Sequence, residues 1–316
     1  MLHAILVFAA LTGVFGADES ASKIVFTTGT VTITDADRTV LRYRYTDVPY
    51  KPYVDVLTTP SGINVLRDSP DDHRHHHALM YAIKVNGVNY WEEHDTPGVQ
   101  AHHGFTQTRI LTNPGGGMFT SQLAWKPSPD SAEPVLHETR RIRSYGVVEG
   151  ATLAAWHTQL TAPEPVTLGG SHYHGLGMRF VESMDQTGDF RFEGDAEGEG
   201  VRGTEKLTPG NWAAYTAPAD GNTVTVAMFD HPDNPRPVLW FTMLEHFSYL
   251  SATMNLHREP MELVPEDGQP GRMAVCYGIA LWNGRPEETK IQATYEAWLK
   301  QTTAAEVEAQ YADTLP

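Results

Sequence analysis

Short runs of alternating apolar and polar residues follow one another along most of the chain. Thr39-Val-Leu-Arg-Tyr-Arg-Tyr45 is one such run, and its period of two is typical of a β-strand with one buried face. Asn86-Gly87 separates the apolar segments 78–85 and 88–91, and this dipeptide favours the type I′ turn of a β-hairpin. Further strands are predicted at residues 24–34, 105–111, 119–125, 136–145, 152–160, 166–169, 177–182, 190–193, 223–229, 238–244 and 273–281.

Turn residues, rather than long helices, separate these strands. Many short strands in this arrangement predict an all-β fold, a large antiparallel β-sandwich or barrel. A short C-terminal helical segment is predicted after Pro286, where four residues follow helical spacing: Ile291, Tyr295, Trp298 and Leu299. Residues 304–311 also have a helix-forming composition. Because the chain shows no repeats and no linker, we expect residues 22–316 to form a single β-sandwich domain.

The first 16 residues form a short apolar run that ends in small side chains. Val14 and Gly16 match the small residues that precede a signal-peptide cleavage site, and polar Asp18 follows directly, although the usual basic start is missing. We expect residues 1–16 to be a signal peptide and the protein to be exported, to the periplasm or outside the cell. The alternative is a buried first strand. No other segment has the roughly 18 apolar residues of a membrane-spanning helix, so we expect no membrane insertion.

Charge and composition limit the classes of binding partner that we expect. The formal net charge is −16, with 39 acidic against 23 basic residues. Nucleic acids and anionic membrane surfaces are bound by clustered Lys and Arg, so neither is an expected partner, and a neutral or cationic small molecule or oligosaccharide fits better. The single cysteine, Cys276, excludes an intrachain disulfide and lies in an apolar run that predicts a buried position. Nucleophile-elbow, P-loop and dinucleotide-binding motifs are absent.

Four of the 15 histidines lie close together, directly after Pro70-Asp71-Asp72: His73, His75, His76 and His77. An extended backbone would group His73, His75 and His77, whereas a helical turn would group His73, His76 and His77. Either grouping gives three imidazoles, which suffice to hold a catalytic divalent metal with one position left open. We take His73, His75 and His76 as candidate metal ligands and Asp72 as a group that orients them. The alternative is a solvated polar loop.

Two further segments carry candidate chemistry in predicted strands or at their ends. His172-Tyr-His174 follows the strand 166–169, and Arg179 adds a guanidinium suited to a carboxylate or a polyol. Surface histidines at a strand end are the alternative. Glu138 and Arg140 share one face of a strand, where Glu138 is a candidate general base or metal ligand and a plain surface ion pair is the alternative.

A proline-rich loop spans residues 230–237. Three prolines restrict it, so its polar side chains, including His231, Asn234 and Arg236, are candidates for ligand binding. A structural turn is an equally good explanation of the same residues.

These motifs together resemble an uncharacterised bacterial family that carries the label methane oxygenase PmoA-like. The resemblance rests on Thr59-Pro-Ser-Gly62, on residues 70–79 with their Asp-Asp-His-Arg-His-His-His core, and on the segments 174–179, 231–236 and 277–284. It extends over roughly residues 45–300. Ala78 stands where the family usually has glycine. Eight site residues match by motif: Asp72, His73, His75, His76, Arg179, His231, Asn234 and Arg236.

The resemblance implies a soluble β-sandwich of the galactose-mutarotase "supersandwich" kind, from exported proteins of polysaccharide-degrading bacteria. We therefore expect a carbohydrate-active enzyme that cleaves glycosides by hydrolysis or elimination, or epimerises a sugar. In this hypothesis His73, His76, His174 and Glu138 are catalytic. The residues expected to bind substrate are Asp72, Arg179, His231, Asn234 and Arg236.

Two other functions stay open: a non-catalytic carbohydrate- or metal-binding envelope protein, and a metal-dependent oxygenase. Whether a metal is bound is left open. The enzyme hypothesis expects the histidines of residues 73–77, those of residues 172–174 and His231 to meet in one pocket.

Overall fold

A computed structural model describes residues 22–111 and 115–302. Two large sheets face each other, and every strand pairing among the described residues is antiparallel. The first sheet has ten strands, in spatial order β1 (Lys23–Phe26), β2 (Thr30–Asp35), β3 (Arg38–Arg44), β4 (Tyr53–Leu57), β5 (Leu79–Ala82), β13 (Gly175–Arg179), β20 (Tyr249–Thr253), β19 (Leu239–Met243), β16 (Lys206–Pro209) and β15 (Glu199–Gly200).

The second sheet has eight strands and a smaller sheet has four. The eight are, in spatial order, β14 (Asp189–Phe192), β17 (Trp212–Ala219), β18 (Asn222–Asp230), β22 (Gly271–Asn283), β11 (Ala151–Ala162), β10 (Leu136–Val148), β9 (Gly117–Lys126) and β8 (Val99–Ile110). The four are β21 (Met261–Leu263), β12 (Val166–Gly169), β6 (Lys84–Val85) and β7 (Val88–Asn89). Single 3-10 turns occupy Glu182–Met184 and Glu193–Asp195.

One apolar core fills the space between the two large sheets. Leu41 and Met178 of the first sheet share a buried cluster with Phe119, Ile142 and Ile279 of the second. Apolar residues meet there because side chains along a strand alternate between its two faces. The predicted antiparallel β-sandwich is therefore confirmed.

The C-terminal helix α1 (Glu288–Gln301) packs on the outer face of the second sheet. Its buried residues include Ile291, Tyr295 and Trp298, at the predicted helical spacing. A side chain at Gly278 of β22 would meet Trp298 at 2.8 Å, so glycine allows the helix to lie close to the strand. Cys276 is buried beneath this helix, as predicted. The segments 1–16 and 304–311 lie outside the described residues.

Within residues 22–111 and 115–302, no helix combines the length and the apolar composition that crossing a membrane requires.

Strand register determines which side chains leave the core of the first sheet. Arg179 of β13 pairs with Tyr249 of β20, and Met178 pairs with Leu250. Met178 and Leu250 belong to the core, so Arg179 and Tyr249 emerge on the outward face. The loops that follow β4 and β7 cover this face, and a cleft lies between them and the sheet.

A buried histidine of the second sheet predicts acid-sensitive stability. Burial, and then the charge of Arg141, lower the pKa of His157 to about 3. Below its ordinary pKa the unfolded chain binds a proton that the folded chain does not, so stability falls with falling pH. This group alone should remove about 2 kcal/mol of unfolding free energy between about pH 7.5 and about pH 5.

Urea denaturation across this pH range measures the effect. His157→Gln should show a shallower loss than wild type, whatever its absolute stability, whereas exposed His137→Gln should keep the wild-type slope. Identical slopes for wild type and His157→Gln would contradict the assignment.

Candidate functional site

The cleft on the outward face of the first sheet has a volume of about 820 Å³. Aromatic rings form much of its lining: Trp91, Tyr173, Phe241, Phe247 and Tyr249. Between these rings lie carboxylates and the imidazoles of His73, His75 and His76, which belong to the histidine-rich loop, residues 70–77. A cleft of this size, which combines aromatic rings with charged and polar groups, is large enough to bind a small molecule.

The histidine-rich loop turns over the cleft. The amide of His73 donates to the carbonyl of Pro70 (3.0 Å), and the amide of His76 donates to that of His73 (2.9 Å). This turn stacks the rings of His73 and His76, with centroids 4.7 Å apart, and sets His75 against the edge of His76 at 4.6 Å. All three line the cleft, whereas His77 does not. The structure thus groups His73, His75 and His76.

His76 is the most enclosed of the three, with 7% of its surface exposed, and it packs against Tyr249 at 4.9 Å. Burial, reinforced by the neighbouring His75 and His73, lowers the pKa of His76 well below its ordinary value. Burial and the charge of Lys51 lower the pKa of His75 to about 4. Both rings are therefore uncharged at neutral pH and available to accept a proton.

His77 lies beneath the cleft in a network of charged groups. Its Nδ1 lies 2.8 Å from Asp68 and its Nε2 lies 2.9 Å from Glu93. Burial alone would lower the pKa of His77, but these two hydrogen bonds outweigh it and raise the pKa. Fully buried Lys51 donates to the same Glu93 and to the carbonyl of Trp91. The network ties the histidine-rich loop to the loop that carries Trp91.

A second wall of the cleft consists of Trp91, Glu92 and Tyr173. Tyr173 donates its hydroxyl to Glu92, and the Nε2 of His174 lies 3.4 Å from the same carboxylate. Burial opposes ionisation of Glu92, but hydrogen bonds from His174, Tyr173 and Asn89 outweigh it and lower the pKa of Glu92. Burial and the adjacent Glu92 raise the pKa of Tyr173. Glu92 is therefore a carboxylate and Tyr173 a neutral phenol.

His174 supports this wall from behind. Only 3% of it is exposed, and its ring stacks on Trp91 with centroids 5.2 Å apart. It is not among the residues that line the cleft. Its contact with a ligand would therefore pass through Glu92 or Trp91.

Arg179 lies under the floor of the cleft and is 1% exposed. Its guanidinium covers the ring of Phe247 at 3.8 Å and contacts Asp72 (3.4 Å) and Asp185 (3.2 Å). Asp72 itself lines the cleft, 3.2 Å from the Nδ1 of His73. Arg179 thus positions Asp72 and the aromatic floor.

The structure places Glu138 in the interior of the second sheet, with 0% exposure. Its two oxygens accept hydrogen bonds of 2.8 Å from Trp125, Thr158 and both Nε and Nη2 of Arg140. These four hydrogen bonds engage both carboxylate oxygens, and Glu138 is not among the cleft-lining residues. Glu138 is therefore not placed to act on a ligand in the cleft.

The proline-rich loop has structural contacts. His231 contacts the carbonyl of Thr302 (3.0 Å) just after α1, and the edge of Trp298 within it. Asn234 donates to the carbonyl of Cys276 and accepts from its amide, at 3.0 and 2.7 Å, as a neighbouring strand would. Arg236 donates to the backbone carbonyl of Glu259. The three side chains connect this loop to the end of α1, to β22 and to the backbone at Glu259. None of them lines the cleft.

The candidate metal ligands do not form a metal-binding arrangement here. Among the described residues, no group of three or more His, Cys, Asp or Glu side chains has the geometry to hold a metal ion. The rings of His73, His75 and His76 contact one another by their faces and edges, which fits acid–base chemistry between neighbours better than coordination.

Several site residues were missed by sequence analysis. Trp91 ends the predicted hairpin strand, and Glu92 and Glu93 directly follow it, so an aromatic residue and two carboxylates at a strand end were a usable signal. Glu205 and Glu245 lie in turns without any motif, and only the fold brings them to the cleft.

The fold and the site together define a β-sandwich protein with a histidine- and carboxylate-containing cleft on one sheet. The chain belongs to a family of unknown function (DUF6807), whose model matches residues 30–296. This agrees with the expectation of an uncharacterised family and does not bear on the methane-oxygenase label. No curated protein matches the chain.

Proposed function

We propose that this protein is a carbohydrate-active enzyme that moves a proton on a sugar bound in the cleft. One observation carries the proposal: the uncharged imidazoles of His75 and His76 face the same aromatic-lined cleft as the Tyr173–Glu92 pair. An exported location, which residues 1–16 predict, is part of the proposal.

The lining suits a sugar ring. A partly exposed ring such as Tyr173 can pack against the C–H face of a pyranose, while carboxylates such as Glu92 accept hydrogen bonds from its hydroxyls. The cleft volume of about 820 Å³ lies within the range of small-molecule sites.

Two stacked imidazoles in different surroundings provide an acid–base pair. His76 is buried among aromatic rings and is the proton acceptor. His73 is more exposed, and its Nδ1 lies 3.2 Å from the carboxylate of Asp72. Two neighbouring imidazoles with different surroundings and partners can divide the acid and base roles between them.

Proton abstraction next to a carbonyl, leading to elimination or epimerisation, uses this pair directly. Hydrolysis by two carboxylates would need one of them protonated. Glu92 does not meet that requirement because its hydrogen bonds lower its pKa. An oxygenase is not favoured either, because the described histidines and carboxylates have no metal-binding geometry.

A sugar screen in deuterated water tests the proposal. Neutral, acidic and amino sugars, with and without an oxidised carbon, would be incubated with the protein and followed by NMR and mass spectrometry. We expect at least one sugar to gain deuterium at carbon or to be cleaved. Binding without any exchange or cleavage would favour the non-catalytic binding protein, and the absence of both would overturn the proposal.

A further inference from the structure

We propose that the cleft selects sugars without negative charge, and that Glu205 and Glu245 determine this selectivity. Uronates, sulfated sugars and sugar phosphates would be rejected, while neutral sugars and amino sugars would be accepted. The inference rests on the proposed function and adds the charge class of its substrate.

Four carboxylates line the cleft, against a single guanidinium: Asp72, Glu92, Glu205 and Glu245, against Arg202. Arg179 lies behind Asp72 and contacts Asp185, which Arg67 also contacts at 3.6 Å, so these two guanidiniums are balanced by Asp72 and Asp185. Glu92 is held by Tyr173, Asn89 and His174, of which only His174 can carry a positive charge, and burial lowers the pKa of His174. The electrostatic potential inside the cleft is therefore negative.

Glu205 is the buried carboxylate at one end of the cleft, with 4% of its surface exposed. Its Oε1 accepts a hydrogen bond of 2.6 Å from Arg202, whose own side chain is 80% exposed. Its Oε2 lies 3.3 Å from Nε2 of His172, yet neither atom has a hydrogen-bond partner among the described residues. Solvent screens the exposed guanidinium more than the buried carboxylate, so the negative charge prevails at this end.

Glu245 reinforces the same end. A side chain at Gly203 would collide with its Oε2, which shows how closely the turn 201–205 approaches Glu245. The backbone amide of Glu245 donates to Thr204, and this bond fixes the two segments together. A sugar carboxylate placed here would meet two carboxylates and one guanidinium that is already engaged.

Two of the five imidazoles that line the cleft, those of His75 and His76, are uncharged at neutral pH and do not offset this charge. Elimination from a uronate requires its carboxylate to be neutralised, and the cleft lining offers no unengaged cation for that purpose. The group that acidifies the sugar C–H bond is then an uncharged carbonyl.

The field can be measured without knowing the substrate. Paramagnetic relaxation of backbone amides would be recorded with a cationic and an anionic nitroxide, aminomethyl- and carboxy-PROXYL. For the amides of residues 203–205 and 245–247 we expect the cationic probe to relax more strongly, by about three-fold or more. Glu205→Gln/Glu245→Gln should bring this ratio towards unity.

Glu133→Gln/Glu164→Gln removes the same charge from exposed positions outside the cleft lining and should leave the ratio unchanged. A wild-type ratio at or below unity, or an equal change in both double variants, would overturn the inference.

For any neutral sugar that binds in the screen, the corresponding uronate, which has a carboxylate at C6, should bind about ten-fold or more weakly. In Glu205→Gln/Glu245→Gln the difference in affinity between the two sugars should be smaller. If the uronate binds as tightly as the neutral sugar, the proposed charge selectivity is wrong. Turnover of the neutral sugar would show in that case that the proposed function still holds. If no sugar binds, the proposed function fails. The ratio of amide relaxation by the cationic and the anionic nitroxide still gives the sign of the electrostatic potential in the cleft.

Discussion

Replacing His76 with alanine is expected to lower kcat by about 10²–10⁴-fold on the sugar found in the screen. The reason is that His76 is a buried, uncharged imidazole among aromatic rings, and within residues 22–111 and 115–302 no carboxylate forms a hydrogen bond or ion pair with its side chain. Because the base works in its uncharged form, protonation of His76 should cause the fall in activity at low pH. Its lowered pKa should extend the plateau of kcat/KM below roughly pH 6.5, the ordinary imidazole pKa.

Three measurements separate catalysis from structure in this experiment. The melting temperature of His76→Ala should stay near that of wild type, added imidazole should restore part of the activity, and exposed His137→Ala should behave as wild type. Full turnover by His76→Ala, or a loss that follows unfolding and that imidazole does not restore, would refute the assignment of His76 as the base.

Much of the fold could be predicted because alternation in a strand reports directly on burial. The alternating run at residues 39–45 overlaps β3, and the strand predicted at residues 136–145 lies in β10, which alternates between buried and less buried positions at its start. β20 and β17 were missed: β20 is buried at every position, so it shows no alternation, and β17 has four alanines and a proline in eight residues. Neighbouring strands, rather than local propensity, determine the conformation of such segments.

The site was predictable where its residues are adjacent in sequence. The density of histidines at residues 73–77 pointed to the cleft, but the pattern could not show that His77 leaves the group. That outcome depends on Glu93, which contacts His77, and on Lys51, which donates to Glu93; both are distant from His77 in sequence. Glu138 and His231 had suitable chemistry for a site, yet their partners, Arg140 and α1, gave them structural roles.

Replacing Arg140 with methionine is expected to lower the free energy of unfolding by about 3–5 kcal/mol, because it leaves the carboxylate of Glu138 buried without its counter-charge. Arg140 is 0% exposed, binds Glu138 through two nitrogens at 2.8 Å and lies 4.7 Å from the Trp156 ring. It also donates to Gln100 and to the carbonyl of Pro52, so it joins both large sheets.

The double variant Glu138→Leu/Arg140→Met identifies the source of this loss. Removing both charges should make the protein more stable than Arg140→Met alone, by about 1 kcal/mol or more, because no buried charge is then unpaired. Urea denaturation of the wild type, both single variants and the double variant gives the coupling energy between the two side chains. If the two single losses simply add, the stabilising role of Arg140 lies in its packing against Trp156 and its bonds to Gln100 and Pro52, not in its charge.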